Sequence, residues 1–188
     1  GLNTDGSVDL TFNPQGFGTI QNDEFSQIHL LNNGKILISV DTISTGSNFL
    51  RLNSDGSKDT SFQPLSTYLY GRFVTLPDGN VLVVRNQLEN NFSSPKNKIV
   101  KLDNNGIVDV GFNVPTFSAI VGTNPYLDKL YLTNNNKIMV GGQFTGCNSI
   151  SSKSLVRLNF DGTLDNTFNV GTGFTGLLIN DPYRVYDI

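Results

Sequence analysis

Asn53, Asp55 and Asp59 set three oxygen-bearing side chains at relative positions 1, 3 and 7 of one short stretch, RLNSDGSKDTSF at 51–62, around Gly56. Hard oxygens at such offsets partly match a calcium loop. Calcium takes about six to eight oxygens and normally a bidentate acid late in the loop. Here Phe, Asn and Gln hold the later positions. The competing expectation is structural: Asn53 and Asp55 bond their own turn, and Asp59 caps backbone amides across a hairpin. The sequence favours the turn and retains calcium as the competing candidate.

Other reactive side chains stand alone. His29 is the one histidine, expected as a structural residue on a half-buried strand, and no His/Cys cluster offers a zinc site. Cys147, the one cysteine, sits in GQFTGCNSI, in a loop that lengthens its repeat. No second thiol or nearby His activates it, so it reads as inert. Asp23-Glu24 and the pair Asp181 and Asp187 have no fixed separation and read as solvated loop carboxylates. Asn91-Phe92-Ser93 satisfies the glycosylation pattern. The aromatics Tyr68, Tyr70, Phe92, Tyr126, Tyr183 and Tyr186 lie in or near loops between strands, several beside Asn. Tyr and Asn on a rigid platform make a usual surface for sugars or protein partners, and these residues are the candidate binding set. No catalytic residue is expected.

The opening stretch recurs. GLNTDGSVDLTF begins the chain, KLDNNGIVDVGF covers 101–112 and RLNFDGTLDNTF covers 157–168. Their turn glycines, Gly6, Gly56, Gly106 and Gly162, are spaced by 50, 50 and 56 residues. A second motif alternates with the first: LNNGKILIS at 31–39, LPDGNVLVV at 76–84 and TNNNKIMVG at 133–141. Two motifs alternating at one period are the mark of a repeat architecture.

Within one period the strands can be placed. Phe25 to Leu31 predicts a first strand with Ile28 and Leu30 on one face. Asn33-Gly34 predicts a tight hairpin with φ > 0 at both central residues. Lys35 to Val40 predicts a second strand buried on both faces, and Asn48 to Asn53 a third, with Phe49 and Arg51 opposite Leu50 and Leu52. The turn at 54–57 leads into a short fourth strand ending at Phe62. Four antiparallel strands in about 50 residues make the blade of a β-propeller. Phe12, Phe62, Phe112 and Phe168 are expected to fill the gaps between blades. Linkers such as NPQGFGTIQND and NVPTFSAIVGTNP lack periodicity and would carry the chain from blade to blade.

RLNSDGSKDTSF, RLNFDGTLDNTF and KIMVGGQF at 137–144 resemble the delta-60 repeat, a bacterial and phage β-propeller family. The first half-motif matches in all four copies. The ending G-G-x-F is kept only at Gly141, Gly142 and Phe144. The third turn departs too, with Asn105-Gly106-Ile107 in place of Asp-Gly-Ser. The resemblance implies a propeller and little about activity.

Composition agrees with an all-β chain. Of 188 residues, 37% are hydrophobic and 15% charged, with 19 glycines, which suits a turn-rich protein. Net charge is −3 and the 13 basic residues are scattered, so no basic stripe points to nucleic acid. No apolar run approaches a membrane span.

The expectation is an all-β, β-propeller segment over 1–188, with repeat units of roughly 1–50, 51–100, 101–156 and a partial 157–188. The opening mid-motif and the closing YRVYDI make it read as an excerpt of a larger propeller. The expected function is a non-enzymatic structural or interaction module of a secreted, cell-surface or phage-virion protein. Its partners would be proteins, surface glycans, or further blades of the same or a longer chain. No cofactor is expected beyond the calcium candidate. A carbohydrate-binding or calcium-dependent adhesin is the alternative, and a glycosidase-type enzyme the third class.

Overall fold

The period is visible in the backbone of the computed structural model, which describes residues 1–12, 24–41, 49–64, 72–86, 97–119 and 124–171. No α-helix occurs among the described residues. Three antiparallel sheets share one plan. The first orders β1 (Glu24–Leu30), β2 (Ile36–Asp41) and β3 (Phe49–Leu52). The second orders β4 (Phe73–Thr75), β5 (Val81–Asn86) and β6 (Asn97–Leu102). In the third blade, β7 (Phe117–Ser118) precedes β8 (Tyr126–Leu132) and β9 (Ile138–Gln143), and β10 (Gly146–Cys147) and β11 (Ile150–Ser151) precede β12 (Leu155–Leu158). There β8, β9 and β12 form the blade, and β7, β10 and β11 form a small sheet beside it.

The expected fourth strand is reduced in each blade to a single bridge: Leu52 with Lys58, Leu102 with Val108, and Leu158 with Leu164. The reason lies one residue further on. Asp59 Oδ1 accepts from Ser61 N at 3.0 Å, and Phe62 N donates to Asp59 O at 3.3 Å, so the chain bends away before a ladder can extend. That bend delivers the phenylalanine into the core.

The hairpins also differ from the expected form. At 31–35, Gly34 N donates to Leu31 O (2.9 Å) and Leu31 N to Lys35 O (2.8 Å), and Gly34 alone has positive φ, at 79°. This is a three-residue loop, a type I turn closed by one left-handed residue, instead of a two-residue turn with φ > 0 at both positions. The same hydrogen bonds recur at 3–7, 53–57, 76–80, 103–107, 133–137 and 159–163. Gly holds the left-handed position in six of the seven, and Asn136 holds it in the other at φ 57°. In two of these turns the glycine also meets the backbone of a neighbouring segment. A Cβ on Gly106 would lie 2.9 Å from Pro64 N, and one on Gly162 would lie 2.3 Å from Asn113 O.

The core lies between blades. Between the first and second, Leu37, Phe49 and Phe62 pack on Phe73, Val83 and Leu102. Between the second and third, Leu82, Ile99 and Phe112 pack on Leu130, Val140 and Phe144. Burying a Phe contributes about 1.5–3 kcal/mol, against about 1 kcal/mol for a net hydrogen bond, so these wedges outweigh any single turn contact. Phe62 and Phe112 are buried as expected, and each is covered by the following turn at Gly106 or Gly162. Phe12 and Phe168 are only half-buried.

Other expectations need correction. Ile28 and Leu30 share a face of β1 but are both 67% exposed, whereas Phe73 and Leu130, which stand at the place of Ile28 in the other blades, are buried. His29 is exposed, not half-buried. Cys147 is fully buried on β10 and joins the second core cluster. The lengthened repeat is therefore a short hairpin, paired to β7 through Cys147 with Phe117. The linker containing Phe117 also adds to the core, because the Phe117 ring centre lies 5.0 Å from that of Phe144.

Candidate functional site

The repeated motif resolves into two small hydrogen-bonded units. In the turn, Asp55 Oδ1 accepts from Ser57 N (2.9 Å) and Ser57 Oγ (2.7 Å), while Asn53 Nδ2 donates to Ser57 Oγ (2.9 Å). Asp5 and Asp161 repeat this with Ser7 and Thr163. The serine bonds hold the Asp55 carboxyl below its ordinary value.

The second unit joins Asp59 to two cations. Arg51 Nε lies 2.6 Å and Lys35 Nζ 2.8 Å from Asp59 Oδ2, and Ser61 Oγ donates to Oδ1 at 2.6 Å. Burial pushes the Asp59 carboxyl up, but the bonds from Lys35, Ser61 and Arg51 together hold it well below the ordinary value of 3.8. Asp165 repeats the arrangement with Arg157 at 2.8 Å and Lys137 at 3.4 Å. There the Thr167 hydroxyl is the leading cause of an equally lowered carboxyl. Each arginine also lies over its own phenylalanine, Arg51 on Phe62 and Arg157 on Phe168, at 4.7 Å from the ring centre. Arg51 Nη1 reaches the second blade and donates to Asn104 O at 2.7 Å.

Arg51 and Lys35 did not emerge from the sequence as partners of Asp59. The signal was present: Arg51, Lys101 and Arg157 each stand eight residues before Asp59, Asp109 and Asp165. Asp59 was expected to cap amides across the hairpin, but the amide it accepts from is a local one, Ser61 N, two residues on. Its chief partners are charged side chains. The structure thus sets Asn53 and Asp55 in one turn and turns Asp59 toward the cations beneath it. No group of three His, Cys, Asp or Glu suited to a metal occurs among the described residues.

Gln27 was also missed. Its side-chain amide donates to Phe73 O (2.9 Å) and accepts from Phe73 N (3.0 Å), tying the first blade to the second as a surrogate backbone. Close by, His29 Nε2 lies 3.2 Å from Thr75 Oγ1 across the same boundary. Above them a groove of about 180 Å³ opens between the turns of the two blades, lined by residues that include His29, Asn32, Asn33, Thr75 and Asn104.

Of the aromatic candidates, Tyr126 is exposed at the start of β8. Tyr68, Tyr70, Phe92, Tyr183 and Tyr186 lie outside the described residues, as do Asn91, Asp23, Asp181, Asp187 and the side chain of Glu24. Burial pushes the Cys147 thiol up to about 11, away from the thiolate that nucleophilic chemistry requires.

Residues 31–62, 76–112 and 133–168 match a family model described as a domain of unknown function (DUF5122) beta-propeller. Each matched span runs from the turn of a second motif to the phenylalanine that ends the following first motif. No curated protein matches the chain. No solved structure matches it either.

Proposed function

Because the chain belongs to the DUF5122 beta-propeller family, we propose that it is a non-enzymatic scaffold that presents loops for attachment or assembly. The observation that carries this reading is the use of the repeated polar residues inside the fold. Asp59 and Asp165 hold arginine and lysine, Asp5, Asp55 and Asp161 hold their own turns, and Arg51 fastens one blade to the next. A motif spent on architecture leaves recognition to the residues that vary between repeats.

The finer assignment to delta-60 repeats belongs to this reading and rests on RLNSDGSKDTSF, RLNFDGTLDNTF and KIMVGGQF. So does a setting in a secreted, cell-surface or virion assembly, with proteins, surface glycans or further blades as partners. The low charge and single cysteine suit such a setting without selecting it.

The test is twofold. Immobilised protein on a glycan array and in binding assays against surface or virion proteins should give saturable binding. Incubation with a panel of chromogenic glycosides should give no turnover above buffer. Reproducible hydrolysis that follows the protein through purification would replace the scaffold by an enzyme.

A further inference from the structure

Equivalent positions differ sharply between the two blade boundaries. Residue 104 in the second blade and residue 160 in the third both follow the first residue of the outer turn. Phe160 packs against the core between the second and third blades, and Lys101 Nζ lies 5.4 Å from its ring centre. Asn104 fills no such place at the first boundary. Its side chain stands against Gly79, and the groove of about 180 Å³ lies beside it.

From this difference we propose that the groove between the first and second blades is a binding site for one neutral sugar ring. The size is the first argument. About 180 Å³ falls below the ~300–1,000 Å³ of sites for drug-sized ligands, and suits a single six-membered ring better than a peptide or nucleotide. The chemistry of the lining is the second. Amides of Asn32, Asn33 and Asn104, the Thr75 hydroxyl and the His29 imidazole supply donors and acceptors of both kinds, matching hydroxyl groups that also donate and accept. Among the described residues, no acidic, lysine or arginine side chain lines the groove, so a phosphate or carboxylate finds no strong counter-charge from them. Leu31, Leu76 and Pro77 provide an apolar floor for the C–H face of a ring. The site is also braced. Gln27 fastens the blades beneath it through Phe73, and Arg51 holds the backbone of Asn104 from the first blade.

The proposal deepens the scaffold reading and rests on it. His29 is the sole histidine, so its ring resonances report on the groove without interference. Glucose, galactose, mannose, rhamnose and N-acetylglucosamine would be titrated into the whole chain to tens of millimolar. Each would be added free and at the end of a disaccharide, which separates a soluble sugar from a glycan terminus. At least one should shift the His29 signals saturably. Asn104→Phe, which copies Phe160 into the groove, should weaken that binding by at least about tenfold while the melting temperature holds or rises. Thr75→Val, which keeps the shape and removes one hydroxyl, should weaken it by about fivefold. Unmoved His29 signals across the panel would sink the proposal, as would wild-type affinity in a folded Asn104→Phe. If partner capture by the scaffold survives either result, the site alone has failed. If the sugars are hydrolysed, the scaffold reading has failed.

Discussion

The first and third blades keep an arginine, an aspartate and a lysine in contact, and the second does not. Lysine replaces arginine at 101, asparagine replaces the second cation at 80, and Gly111 replaces the serine or threonine that braces the carboxylate. Lys101 reaches Asp109 at only 3.2 Å and also approaches Asp78 at 3.8 Å. The Asp109 side chain is 32% exposed, against 6% and 4% for Asp59 and Asp165. Arginine presents a planar fork with several fixed donors, and lysine a single mobile point charge. The second blade therefore holds the same sign pattern without the same enclosure. Its turn survives an equally large change: Asp103, at the place of Asn53, accepts from Asn105 N (2.8 Å) and Ile107 N (2.9 Å). The acceptor has moved from the third turn residue to the first, and the backbone has not changed. Turn geometry depends on one acceptor and one left-handed residue, whereas the buried charge cluster depends on every member.

The widest gap should appear when the carboxylates are removed. Asp59→Ala leaves Arg51 buried and short of its counter-charge, and should cost about 3–5 kcal/mol, the range for breaking a buried pair. Asp109→Ala should cost far less, about 1 kcal/mol, because its carboxylate keeps more contact with water. Thermal or urea unfolding of the two variants checks this, and equal costs would remove the contrast.

Acid should expose the same difference more gently. Asp59 has a folded-state pKa below its ordinary 3.8, so its contribution to stability is complete above that value and fades as pH falls below it. Wild-type melting temperature should be level through the neutral range and drop once the pH passes under 3.8. Asp59→Asn should start lower and lose less in acid, while Asp109→Asn should follow the wild-type profile closely.

Rebuilding the second blade should give a smaller gain. Lys101→Arg with Gly111→Ser supplies the fork and the hydroxyl that bond Asp59 in the first blade, and should add about 1 kcal/mol, the worth of one net hydrogen bond. A Cβ at Gly111 would lie 3.2 Å from Asp109 Oδ1, so the carboxylate must shift by a few tenths of an ångström to take the hydroxyl. Calorimetric melting of the double variant would show the rise, and a fall would mean that Lys101 is needed over Phe160.

The smallest expected effect is that of a chelator. Asp55 and Asp59 are engaged by hydroxyls, amides and cations, so EDTA should leave the melting temperature unchanged within error. A drop restored by added calcium would bring back the metal reading of Asn53, Asp55 and Asp59.

Much of this fold is legible in the sequence because the repeat supplies its own control. Gly6, Gly56, Gly106 and Gly162 recur where a left-handed residue is required, and Phe62 and Phe112 recur where blades meet. The site is far less legible. Arg51 and Asp59 are neighbours across a hairpin, yet their pairing is hidden by the turn residues between them. Gln27 with Phe73 and His29 with Thr75 join residues 46 apart, on strands that meet only when two blades pack. Nothing in the pattern of either segment marks the other.

Local chemistry thus determined the turns, the order of strands and the period, because each follows from a few adjacent residues and their backbone preferences. Only the packing of blades decided that Cys147 is core, that Ile28 is bare where Phe73 is buried, and that Asn104 borders a groove while Phe160 packs against the core. Burial depends on which surface lies opposite. That surface belongs to another repeat, so no single copy of the motif can specify it.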